Sequence, residues 1–180
     1  MKKTINPGTL YEGWEGSKAK TWHSEKELKT ALQKEFKAAK IPASIRFGRG
    51  GYLTAMTVTI IISADEIKPF EAWKKGFNPY RYMWLSYVDE SGNYKTVHRD
   101  TVCDGITADM LEKIALQTYR EAVAMLPAAT SPGTELLTPA AAARYEKAVS
   151  IVDEYNRDCS NAMIDYFDRR IYDNYRIKIS

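Results

Sequence analysis

The sequence has little of what metal and nucleophile chemistry require. Its 180 residues include two histidines, His23 and His98, and two cysteines, Cys103 and Cys159. Two histidines cannot build a multi-histidine metal centre, and neither HExxH nor clustered Cys/His spacing occurs. The cysteines form no CxxC pair, so they are expected as reduced thiols rather than as a disulfide framework. No apolar run reaches the ~18 residues that span a bilayer. The opening MKKTINPGTLYEGWEGSK carries lysines but no apolar segment, so no secretory signal is expected there. The expected compartment is the cytosol. A phosphate loop is also missing, because GRGG lacks the GxxxxGK[ST] pattern and precedes a strand rather than a helix. His98 and Cys103 have a spacing at which a nucleophile pair can form, and Asp89/Glu90 and Asp100/Asp104 are adjacent carboxylates. Such turn acids and short spacings are met far more often on solvated surfaces than in active sites. The expectation is a protein with no catalytic role, no cofactor and no metal.

What is present is a foldable chain with uneven charge. Hydrophobic residues make up 44% and aromatics 12%, enough to bury a core. Residues 1–50 hold 11 Lys/Arg against 5 Asp/Glu, a surplus of +6, and the other 130 hold 15 against 18, a deficit of −3. A basic front half on a mildly acidic rear points to an acidic or polyanionic partner at the front. It also excludes a DNA mimic, which needs a dense acidic surface.

One domain of α+β class is expected, an antiparallel sheet of three to five strands packed by an N-terminal helix and two longer C-terminal helices. Residues 1–22 mix Pro7, Gly8, Gly13 and Gly16 with Tyr11, Trp14 and Trp22, which predicts an irregular arm held down by its aromatics. Ser24 and Glu27 have capping-box spacing, so a helix should start there, bury Leu28, Ala31, Leu32, Phe36 and Ala39, and stop at Pro42. On that helix Lys26, Lys29, Lys37 and Lys40 fall within about 60° of one another, a basic ridge beside the buried face. Strands are predicted over 44–49 and 52–63, joined by Gly50-Gly51 as a tight turn. A short helix or turn broken by Pro69 spans 65–75. Aromatic-rich 78–89 and then 94–102 follow as strands around the turn at 90–93. This helix-plus-sheet part covers 23–105. A helix over 107–126 capped by Thr107 and another from Thr138-Pro139 to about residue 168 make up the rest. The tail alternates Tyr175, Ile177 and Ile179, which suits a final edge strand.

The order helix, three strands, helix across 24–126 resembles that of double-stranded RNA-binding domains. Those domains place phosphate-gripping lysines at the start of the last helix. Here that stretch is ITADMLEKIALQ, acidic and apolar, so the likeness is one of topology.

A more specific resemblance lies in KAAKIPASIRFGRGGYLTAMTVTI. A basic Gly-Gly-Tyr turn feeding a Thr/Val-alternating strand resembles the small "large polyvalent protein-associated" domains of phage and conjugative-element proteins. The resemblance covers residues 20–105. It implies a counter-defence protein, and the chain looks like a type II-A anti-CRISPR, an inhibitor of Cas9. On that reading the partner is the bacterial effector with its guide RNA, and the anchors are Arg46, Arg49 and Tyr52. The lysines at 26, 29, 37 and 40 would add steering and salt-dependent affinity. The alternative is a nucleic-acid-binding accessory protein of a mobile element. Alternation puts Arg46 opposite Ile45 and Phe47, so its side chain should leave the core face. Should the basic hairpin prove only a solubilised turn, the next candidate surface is the tail around Tyr172 and Tyr175.

Overall fold

The alternation at 43–47 and 54–62 is the key to the architecture. A computed structural model describes residues 3–5, 13–48, 54–98, 100, 106–158 and 170–180. Its strands are β1 Lys3–Ile5, β2 Gly13–Glu15, β3 Ala43–Phe47, β4 Thr54–Ile62, β5 Trp84–Val88, β6 Tyr94–His98, β7 Arg157–Asp158 and β8 Ile171–Ile179. Its helices are α1 Glu25–Ala38, α2 Phe70–Lys74, α3 Ala108–Met125 and α4 Pro139–Tyr155. The class is α+β, as the sequence predicts.

β3, β4 and β8 form the central sheet in the order β3-β4-β8, with β3 antiparallel and β8 parallel to β4. Residues 45, 58 and 175 stand side by side in register, as do 43, 60 and 177. Of these, all but half-buried Ala43 are nearly inaccessible, as are their neighbours Met56 and Ile62, packed with Leu28, Leu32 and Phe36 of α1 and with Tyr145, Ala148 and Val152 of α4. Two helices therefore cover one sheet face. β5 and β6 form a separate antiparallel hairpin whose Leu85 is buried and whose first strand packs on α3.

Local chemistry sets the helix ends. The Ser24 hydroxyl accepts from the Glu27 backbone N–H at 3.2 Å, and the Glu27 carboxylate accepts from the His23 N–H at 2.8 Å. At the other end of α1, Lys40 takes a left-handed φ of 55°. Lys40 N–H then reaches the Lys37 carbonyl at 3.1 Å and Ile41 N–H the Phe36 carbonyl at 2.8 Å, a Schellman closure with buried Ile41 on buried Phe36. Thr107 and Thr138 cap α3 and α4 through their hydroxyls.

Five expectations need correction. The arm 1–22 is not irregular throughout, because β1 pairs β2 and β2 pairs β7. Gly16 makes this fit possible: a Cβ there would meet the Asp153 carbonyl oxygen at 2.2 Å, so only glycine lets the arm lie on the end of α4. The second long helix stops at Tyr155 rather than near 168, because extended Asn156 replaces helical bonds with side-chain ones. Its Oδ1 accepts from Arg157 N–H at 2.8 Å and Ile171 N–H at 2.9 Å, while Nδ2 donates to the Ile171 carbonyl at 2.9 Å. Ala162 and Ile164, expected in that helix, lie outside the described residues. Residues 78–82 are a 3-10 turn rather than strand, since Asn78 Oδ1 caps Tyr80 N–H at 3.0 Å. The three strands of the RNA-binding-domain order do not share one sheet, because β8 takes the place beside β4. Finally, the sheet is mixed rather than purely antiparallel, through that same β8.

Candidate functional site

The other face of the central sheet carries the residues between the core positions. The register sets Arg46 of β3, Thr57 of β4 and Asn174 of β8 in one row, and Ser44, Thr59 and Arg176 in the next, with Lys178 beside Ile61 beyond. Arg46, Arg176 and Lys178 are exposed, while Thr57 and Thr59 are half-buried on the central strand. Among the described residues no helix packs on this side in the way α1 and α4 pack on the other.

A groove of about 500 Å³ runs over this face. Ser44, Arg46, Thr57, Thr59, Arg176 and Lys178 supply its polar lining, and Phe47, Gly48 and Pro127 its edges. The loop carrying Pro127 is held beside β8 by a 2.6 Å bond from Ser131 N–H to the Tyr175 carbonyl, with Ser131 at a left-handed φ of 53°. Three cations thus stand over hydroxyl groups. Among the described residues no carboxylate lines the groove, and none pairs with these three cations. Some cations elsewhere are paired: Lys18 lies 2.6 Å from Glu35 and 3.0 Å from Glu154, Lys20 3.2 Å from Glu15, and Arg144 2.6 Å from Glu66. The hydrogen bond to Glu35 pushes the Lys18 ammonium pKa well above its usual value, and the bonds from Arg144 and from Ser63 N–H hold the Glu66 carboxyl below its own. Those pairs fasten the arm and α4; the groove cations have no such duty.

The structure divides the predicted site residues. Arg46 is in the groove. Lys26, Lys37 and Lys40 are exposed and Lys29 half-buried on α1, which belongs to the helical layer across the sheet from Arg46. The lysine ridge and Arg46 therefore do not form one surface, and Lys40 also serves to end its helix. Arg49, Tyr52 and the Gly50-Gly51 turn lie outside the described residues. Tyr175 is only 5% exposed and packs on Tyr145 at 5.9 Å between ring centres, so it is core rather than surface.

Sequence reasoning missed Arg176 and Lys178. Their signal was present, since they alternate with Tyr175, Ile177 and Ile179, but nothing local tells that β8 joins β4. The groove draws two of its cations, Arg176 and Lys178, from the acidic rear of the chain, so charge counted by halves does not pick them out.

The described members of the weaker catalytic constellations make the following contacts. His98 meets the exposed Trp84 edge-on at 4.8 Å and its Nδ1 is 3.1 Å from Asp100 Oδ2. Asp89 accepts from Ser91 and Asn93 N–H within its turn, and Glu90 pairs with Lys113 at 3.3 Å. Cys103, Asp104 and Cys159 lie outside the described residues. Among the described residues no three of His, Cys, Asp and Glu gather as a metal site, and no helix is long and apolar enough to cross a membrane. Comparison with protein families, curated proteins and solved structures finds no match for this chain.

Proposed function

We propose that this chain is a non-enzymatic binding protein that holds a Cas9-type effector through its guide RNA, with the open face of β3-β4-β8 against the RNA phosphates. The observation that carries this reading is the groove of three unpaired cations over hydroxyl groups, with no acid among its lining residues. Ser and Thr hydroxyls and Arg or Lys side chains are the groups that hold phosphate oxygens, and Arg presents a fork matched to them. The anti-CRISPR reading comes from the resemblance of residues 20–105, and Arg46 lies inside the stretch that bears it. An effector of this type keeps its guide in a positively charged channel and recognises it by backbone shape. A basic inhibitor has no charge match to the channel wall and matches the RNA instead.

Co-elution tests the proposal. At moderate salt the guide-loaded effector should retain the chain, and effector without guide should not. Replacing Arg46, Arg176 and Lys178 together by Gln should weaken retention at least ~10-fold, which corresponds to about 1.4 kcal/mol. Equal retention by guide-free effector, or no change with the triple variant, overturns it. Binding to free RNA without any hold on the effector would instead favour an accessory nucleic-acid-binding protein of a mobile element, the reading that the same groove supports without the resemblance.

A further inference from the structure

We infer that the groove is a clasp for one single-stranded sugar-phosphate backbone, about three phosphates long, and not a seat for a duplex. This rests on the phosphate-binding reading above and adds the form of nucleic acid that the groove accepts.

Three features lead there. The first is the width of the cationic track. Arg176 and Lys178 are two residues apart on one strand, about 6.6 Å, and Arg46 is two strands across and two residues along from Arg176, about 12 Å. All three line one groove with Thr57, Thr59 and Ser44, and no second row of cations is found among the lining residues. A duplex presents two backbones across a groove; this surface has cations for one. The second feature is the wall. The Pro127 loop, tied to the free edge of β8 through Ser131, stands beside the track, so the site is a cleft that a slender strand can enter. The third is the rim. Exposed Pro127 offers an apolar surface at one edge of the charged floor, while the Phe47 ring packs towards the core. Bases of a single strand are free to rest on such a surface, as in proteins that combine a basic groove with ring platforms, whereas duplex bases are already stacked on one another.

The count of cations makes the inference quantitative. For a single strand the slope of log K against log salt is about −0.7 per phosphate neutralised, so three contacts give about −2. Fluorescence anisotropy of the full chain with labelled oligo-U, oligo-dT and an RNA duplex of the same length, each about 12 nucleotides long, measures this between about 50 and 200 mM salt. We expect the single strands to bind at least ~5-fold tighter than the duplex, with a slope near −2. Arg176→Gln with Lys178→Gln should bring the slope near −0.7, and Arg176→Lys should leave it unchanged because the charge count is kept. Both positions are exposed, so circular dichroism of these variants should match the parent. Preference for oligo-U assigns the strand to RNA and preference for oligo-dT to DNA, and either supports the clasp. Equal or tighter duplex binding, or a slope that ignores the double variant, overturns it. If the triple variant still loses the guide-loaded effector while single strands gain no preference, the clasp falls and the phosphate-binding reading stands.

Discussion

The two faces of the central sheet are made by the same three strands and differ in every property that matters. Ile45, Val58, Ile60 and Ile177 point one way and are at most 3% exposed; Ser44, Arg46, Thr59 and Arg176 point the other way and meet solvent or the groove. Period-two alternation keeps the two sets independent, since a residue on one face has no shared neighbours with the residue after it. On the proposed function, stability and binding lie on interleaved positions, so they should be separable by substitution even one residue apart.

The sharpest way to break the comparison is on the inner side. Ile60 is fully buried in the middle of the core, and Ile60→Ala should cost about 4 kcal/mol through lost burial and the cavity left behind, read by denaturant unfolding. Binding per folded molecule should stay as it was. Asn156, the fully buried polar side chain that ends α4, comes next. Asn156→Ala strips hydrogen bonds from Ile171 N–H and carbonyl, and should cost about 2–3 kcal/mol in the same assay.

The ion pair of Arg144 with Glu66 gives a pH test away from the groove. Because the folded-state carboxyl of Glu66 is held below its usual value of 4.5, its contribution is present above that pH and is lost as pH falls through the lower folded value. Between pH 5 and 7 that contribution should be constant, so titration of this group should not move the melting temperature. Below about 4.5 the parent should lose stability more steeply than Glu66→Gln.

Lys40 offers a smaller effect of opposite sign. Its left-handed backbone is costly for a side chain with a Cβ, so Lys40→Gly should raise stability by about 1 kcal/mol while removing a charge from the α1 ridge. Unchanged partner binding in this variant would agree with the separation of that ridge from the groove. A loss comparable to that of the groove variants would show that α1 shares in the contact.

How much of this was legible depended on distance along the chain. Ser24, Thr107 and Thr138-Pro139 announced three helix starts because capping is decided within four residues. Arg46 could be assigned to the outer face because alternation is equally local. The end of α4 was missed because it depends on Asn156 bonding Ile171, fifteen residues on. The arm strands were missed because Gly16 fits against the far end of α4. The groove was half legible: one of its cations could be picked out, and the other two lay in a strand whose partner is more than a hundred residues earlier. Loop closure over that length leaves no mark in a local pattern.

The central claim is that the outer face binds and the inner face folds. It is tested most directly by measuring thermal unfolding and retention on the guide-loaded effector for one sample, the Arg46→Gln, Arg176→Gln, Lys178→Gln variant. Surface substitutions usually shift stability by no more than about 0.5 kcal/mol each, so the melting temperature should stay within a few degrees of the parent. Retention on the effector should fall at least ~10-fold. A variant that melts early in the manner of Ile60→Ala, or one that is retained as firmly as the parent, would contradict the account.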